Sequence, residues 1–200
     1  MITIFHAPRS RSVRPIWLCY ELELEIEIVH VSQEVRATQA FKEVSPAGKV
    51  PALVDGDIQI VESGAIIDYL LERYGKGRFQ PSPGTRESAM YRQWCWFAEA
   101  TLIRPLGLYR VLRAEAESSA DLATEAKTKF REAMAMLESG LTGQEFLVGD
   151  QFSAADIMMG YSLAMAEPLL GERYPNTQRY LSRLQARDAF QRVLALDEGE

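Results

Sequence analysis

Cysteine and histidine are scarce in this chain, two of each among 200 residues. Cys19 and Cys95 stand 76 positions apart and fall into no C-x-x-C or metal-ligand spacing, so neither a disulfide framework nor a metal site is expected. A reducing cytoplasm suits such a chain. No run of 18 consecutive apolar residues occurs, and Met1-Ile2-Thr3-Ile4-Phe5-His6 has no basic stretch ahead of an apolar one. A membrane span and a secretory leader are therefore not expected. Basic excess is missing as well. With 28 acidic against 22 basic groups the formal charge is -6, which disfavours nucleic-acid and anionic-membrane partners because both need a positive field. What the chain does have is 47% hydrophobic residues, enough to bury a core as one large domain or two small ones.

Residues 1 to 77 alternate short apolar runs with helical patterns, the signature of an α/β unit. Ile2 to Phe5 reads as a first strand. Val13, Ile16, Trp17 and Tyr20 recur at helical spacing from Ser12 onward, and a second strand follows at Ile26 to Val31. A helical stretch over Val35 to Lys42 precedes two apolar runs, Val50 to Val54 and Asp57 to Val61, joined at Asp55-Gly56. An Asp-Gly pair there predicts a hairpin with left-handed residues at the turn. Ser63 stands before the periodic set Ile66, Ile67, Leu70 and Leu71 and reads as an N-cap. The expected order is β-α-β-α-β-β-α.

Residues 78–84 read as a linker, in a proline- and glycine-rich stretch, and 85–200 as an all-α domain. Helical periodicity links Met90, Trp94, Phe97 and Leu102, then Ala126, Phe130, Ala133 and Leu137. Pro105 should kink or interrupt the first of these helices. Phe152-Ser153-Ala154-Ala155-Asp156-Ile157 combines a capping box with a hydrophobic staple and predicts the start of a core helix. Asp188 is the expected cap of the last helix.

An α/β half of this order followed by a helical half resembles the glutathione S-transferase family, in its bacterial-like, cytosolic form. Pro8-Arg9-Ser10-Arg11-Ser12-Val13-Arg14 is similar to the family's serine-type catalytic turn, and Lys49-Val50-Pro51 to its cis-proline segment. Glu62-Ser63 is similar to its γ-glutamyl-binding pair, and Phe152 to Asp156 to its capping box. The resemblance implies a thioredoxin-like N-terminal domain and a homodimer. It also implies glutathione as co-substrate, with no metal, and conjugation of its thiolate to small hydrophobic electrophiles. The alternative is a non-catalytic scaffold resembling stringent starvation protein A. Arg11 stands where cysteine-type relatives carry a reactive cysteine, which disfavours thiol exchange.

Under this resemblance Ser10, Arg11, Lys49, Val50, Pro51, Glu62 and Ser63 are the glutathione-binding candidates, and Ser10 is the thiolate stabiliser with Ser12 as runner-up. The plain reading is that either serine merely caps the first helix. Lys49 and Glu62 read equally well as solvated charges, and Ser63 as a cap alone. The electrophile pocket is expected between the two domains, lined by the first helix of the second, with Trp96, Phe97, Arg104 and Tyr109 as candidates; aromatic residues at helical spacing are otherwise core. His6 reads as a strand-end structural residue. A free thiol with a pKa near 8.5 is only a few per cent ionised at neutral pH. Lowering it by about two units raises the thiolate roughly 24-fold at pH 7 and lowers its nucleophilicity about eightfold. Positioning of the electrophile must then supply much of the remaining rate.

Overall fold

The computed structural model describes residues 1–114, 120–170 and 173–196. They form two compact units, one comprising Met1–Phe79 with the described residues from Gln185 onward, the other Gln80–Leu184.

In the first unit β1 (Ile2–His6), β2 (Ile26–His30), β3 (Ala52–Asp55) and β4 (Ile58–Val61) form one sheet in the order β2-β1-β3-β4. β1 runs parallel to β2 and antiparallel to β3, which pairs antiparallel with β4. Ile2, Ile4 and His6 of β1 are buried while Thr3 and Phe5 are partly exposed, the period-two pattern of a strand with unequal faces. The β3–β4 turn is one residue later than the sequence suggests. Asp55 still pairs with Ile58, so Gly56 and Asp57 are the central residues and Gly56 alone is left-handed (φ +64°).

The helix expected over Val35 to Lys42 is instead two, α2 (Gln33–Ala37) and α3 (Gln39–Val44). Thr38 breaks it, because an extended backbone lets its Oγ1 accept the Phe41 N–H at 3.2 Å. A hydroxyl that satisfies an orphan amide here starts a new helix rather than prolonging the old one. α4 (Ser63–Tyr74) closes the motif. The Tyr69 and Tyr74 hydroxyls both donate to Asp55, holding its carboxyl below the usual carboxylate range and tying the end of β3 to α4.

α1 (Val13–Glu21) is buried without interruption from Val13 to Cys19. Its neighbours are α4 and α10 (Asp188–Leu194). Trp17 stacks on Phe190 with centroids 4.2 Å apart, and Arg187 forks onto Glu21 with two bonds of 2.7 Å. The last helix therefore joins the first unit, whereas the sequence pattern places 85–200 in one helical domain. Arg187, not Asp188, is the N-cap. Asp188 sits in the first turn, where its carboxylate suits the helix dipole.

The second unit holds α5 (Arg86–Trp96), α6 (Ile103–Ala114), α7 (Ala120–Gly140), α8 (Ala154–Leu170) and α9 (Pro175–Gln185). Pro105 acts one turn earlier than a simple kink. Residues Phe97–Leu102 adopt a π-helical turn, with the Ile103 N–H donating five residues back to Ala98. The widened turn brings Pro105 into the first turn of a fresh helix, where no backbone donor is required. The Ser162 hydroxyl of α8 donates to the same Ala98 carbonyl at 3.3 Å. No helix among the described residues is long and apolar enough to cross a membrane.

The capping box at α8 reaches further than the sequence shows. Asp156 accepts the Ser153 N–H at 2.8 Å together with the Ser153 hydroxyl at 3.0 Å. Its other oxygen accepts the Leu147 N–H at 3.0 Å and the Tyr180 hydroxyl at 2.8 Å. Removing a fully buried acceptor from these donors leaves each of them desolvated and unpaired. Asp156→Ala should cost about 3–5 kcal/mol, against about 1 kcal/mol for Ser153→Ala, measured by urea unfolding. Equal costs would show that Asp156 serves only as a helix cap.

Candidate active site

Three loops at the starts of elements in the first unit carry the residues singled out by sequence. The turn from Ala7 to Ser12 leads from β1 into α1, with Arg9 left-handed at φ +54°. Ser10 lies half-buried in that turn and Ser12 is fully buried. The two hydroxyls are 2.6 Å apart, and Ser12 Oγ lies 2.7 Å from Nδ1 of the equally buried His6. Ser12 occupies the N-cap position of α1 but makes no side-chain capping bond. Its N–H donates instead to Ser10 Oγ at 3.3 Å. Neither serine is thus a simple helix cap. Ser10 carries the half-exposed end of a hydroxyl chain rooted in the core at His6.

The second loop precedes β3. The Val50–Pro51 bond is cis, as the family resemblance implies. Lys49 is exposed, yet its backbone is held from both sides: its N–H donates to Ser45 Oγ at 3.2 Å and the Ser45 hydroxyl donates to its carbonyl at 2.8 Å. Ser45 is buried and was not signalled by any motif.

The third loop enters α4. Ser63 is the first helical residue rather than the N-cap; Glu62 holds the cap position at φ +72°, ψ 116° without a capping bond. The Ser63 hydroxyl is buried and accepts from Nη1 of Arg14 at 3.0 Å. Arg14 has 0% exposure, so a guanidinium that water cannot reach sits behind this hydroxyl. A hydroxyl has one proton and two lone pairs. With one lone pair engaged by Arg14, Ser63 can direct its proton to an acceptor, and the first amides of α4 face the same end with the positive pole of the helix. The arrangement suits a carboxylate. Arg14 enters the sequence reading only as a spacing mark; no local pattern shows that it reaches 49 residues ahead.

In the second unit a cavity of about 900 Å³ opens along α6 and α7 and is lined by Phe97, Arg104, Leu108, Val111, Leu122 and Met136 among others. Phe97 and Arg104 thus come together. Trp96 is 72% exposed and stands outside the lining, and Lys127 Nζ lies 5.8 Å from the ring centroid of Tyr109, also outside it. Among the described residues no cluster of three or more His, Cys, Asp or Glu side chains is grouped to hold a metal ion.

The chain matches known proteins over parts of both units. Residues 4–82 match the glutathione S-transferase N-terminal domain and residues 95–188 the glutathione S-transferase C-terminal domain. Glutathione S-transferase 3 of Schizosaccharomyces pombe is 30% identical over 198 residues, covering 90% of this chain and 81% of its own. Glutathione S-transferase D7 of Drosophila melanogaster is 30% identical over 178 residues, covering 88% and 79%. Among solved structures, a glutathione S-transferase from Actinobacillus pleuropneumoniae superposes with a TM-score of 0.86 at 27% identity, covering 100% of this chain and 94% of that one. The glutathione transferase URE2P6 of Phanerochaete chrysosporium, in complex with oxidized glutathione, gives 0.87 at 25%, covering 98% and 96%. The chain belongs to the glutathione S-transferase family.

Glu62 keeps a non-glycine residue in a backbone region that costs roughly 1–3 kcal/mol. Glu62→Gly should therefore raise stability by about 1 kcal/mol in chemical denaturation while Glu62→Ala does not. A glycine variant no more stable than the alanine variant would show that the loop carries no such strain.

Proposed function

We propose that this glutathione transferase ionises glutathione at Ser10 and conjugates the thiolate to small hydrophobic electrophiles. The observation that carries the reading is the half-exposed Ser10 hydroxyl at the head of a chain whose other members are buried. Ser12 is the weaker choice for the same reason: its hydroxyl is enclosed, with His6 Nδ1, Ser10 Oγ and the Ala7 carbonyl already around it. Ser63 and the N-terminus of α4 take the γ-glutamyl carboxylate, with the Arg14 charge behind the hydroxyl strengthening it as a donor. The exposed Glu62 carboxylate takes the ligand's amine. Val50 supplies backbone groups beside Pro51, Arg11 borders the serine turn, and Lys49 offers a solvent-exposed cation for the glycyl carboxylate.

Phe97 and Arg104 are the electrophile-side residues this reading favours, since both line the apolar cavity of the second unit. We further propose a homodimer, the assembly that the family resemblance implies. The two free cysteines accord with a cytoplasmic location.

Ser10→Ala should raise the apparent pKa of the bound thiol by about one to two units, the value of one charge-assisted hydrogen bond. Conjugation of an aryl halide should fall at pH 7 and recover towards wild type above pH 9. An unchanged pH-rate profile removes Ser10 from the reaction. Failure of the unmodified protein to bind immobilised glutathione at millimolar ligand would favour the scaffold reading instead. A monomer mass in sedimentation at micromolar protein would exclude the dimer.

A further inference from the structure

We infer that His6 is a positioning residue for the thiol-facing hydroxyl: its Nδ1–H sets the direction of the chain His6–Ser12–Ser10 so that the Ser10 proton points away from the core. The inference rests on the assignment of Ser10 above and concerns what makes that hydroxyl a donor.

Ser12 Oγ stands 2.7 Å from His6 Nδ1 and 2.6 Å from Ser10 Oγ, so the three groups share two short hydrogen bonds. Each hydroxyl contributes one proton, and the chain can run two ways. If Nδ1 is bare, Ser12 donates to it and Ser10 donates to Ser12. Ser10 then meets its ligand with lone pairs only, and a thiolate there would be repelled. If Nδ1 carries the proton, His6 donates to Ser12, Ser12 donates to Ser10, and the Ser10 proton is left for the sulfur. In that direction Ser10 Oγ also accepts the Ser12 N–H at 3.3 Å. Two donors on one oxygen polarise its own O–H, as in any cooperative chain.

A third acceptor, the Ala7 carbonyl, is 3.4 Å from Ser12 Oγ. That is beyond the usual O–H···O range of about 2.5–3.0 Å, so it competes weakly with the 2.6 Å contact. The choice of direction therefore falls on the imidazole. His6 has 0% exposure, with the His30 ring edge-on at 5.0 Å. The chain is set by whether Nδ1 of that ring holds a proton. An aliphatic residue at position 6 would continue the inward face begun by Ile2 and Ile4 and leave Ser12 without this donor.

The direct test uses imidazole nitrogen NMR on the ¹⁵N-labelled protein. With only two histidines in the chain, a His30→Gln variant assigns the spectrum. A His6 protonated at Nδ1 is expected, and a bare Nδ1 overturns the inference. A second test reads the ultraviolet absorbance of bound glutathione thiolate against pH. His6→Leu should shift the apparent thiol pKa up by about one unit towards the free value of about 8.5. His6→Asn, whose amide can replace the donor, should keep it near wild type, and His6→Leu added to Ser10→Ala should have no further effect. If Ser10→Ala itself leaves the pKa unchanged, the assignment of Ser10 fails and this inference with it. If Ser10→Ala raises the pKa and His6→Leu does not, with glutathione still bound, the His6 role alone fails. Should His6→Leu not fold, the NMR result on the unmodified residue decides.

Discussion

A helix enclosed by its neighbours can carry polar side chains only where each finds a partner inside the protein, and α1 is under that constraint from Val13 to Cys19. Its stacking on α10 and its packing on α4 leave the two polar residues at its start, Ser12 and Arg14, without access to water. Ser12 is satisfied through His6 and Ser10, and Arg14 reaches Ser63 at the head of α4. Both links end at Ser10 and Ser63, two residues of the proposed glutathione site. The demand for buried hydrogen bonding and the construction of the candidate site are thus one problem with one solution. Two of the five positive-φ non-glycine residues among those described, Arg9 and Glu62, flank these links. Such outliers persist only where surrounding contacts over-determine them.

The second unit answers the same constraint with an anion. Asp156 collects donors from the loop at Leu147, from its own helix start and from Tyr180 of α9. Burial pushes its carboxyl up while those hydrogen bonds favour the ionised form. Joining three segments on one carboxylate makes the packing of the helical core depend on a polar contact. Phe146 and Phe152 meet edge to face beside it, with centroids 5.7 Å apart.

Most of the fold was legible because strands and helices announce themselves locally. A short apolar run marked Ile2 to Phe5 as a strand, and periodicity marked α4. The return bond of the capping box was readable because its partners lie three residues apart, although the Ser153 hydroxyl donates to Asp156 and the Asp156 N–H goes to the Ser153 carbonyl. What escaped was decided at a distance. Ser63 looked like a cap because serine before an apolar periodic run usually is one; Arg14, 49 residues earlier, claims its hydroxyl instead. α10 looked like the end of the helical domain, yet Phe190 pairs with Trp17. Thr38 was a weaker miss, since a threonine before Gln39-Ala40-Phe41 is itself a local capping signal. For the candidate site, the loops were readable from motif order, whereas His6 and Ser45 carry no motif and became visible only through the bonds they make.

A neutral hydroxyl is a modest stabiliser of an anion, and the balance between ionisation and reactivity explains why modest is sufficient. Once a bound thiol titrates near ambient pH, a further fall in its pKa adds less than twofold to the thiolate population and continues to lower nucleophilicity. A cation in direct contact with the sulfur would overshoot this point. The proposed site keeps its buried guanidinium for Ser63 and a carboxylate, and offers the sulfur a hydroxyl polarised through Ser12 from the His6 imidazole. Extending the donor chain inward strengthens Ser10 without placing formal charge beside the sulfur, which holds the thiolate both populated and reactive at neutral pH.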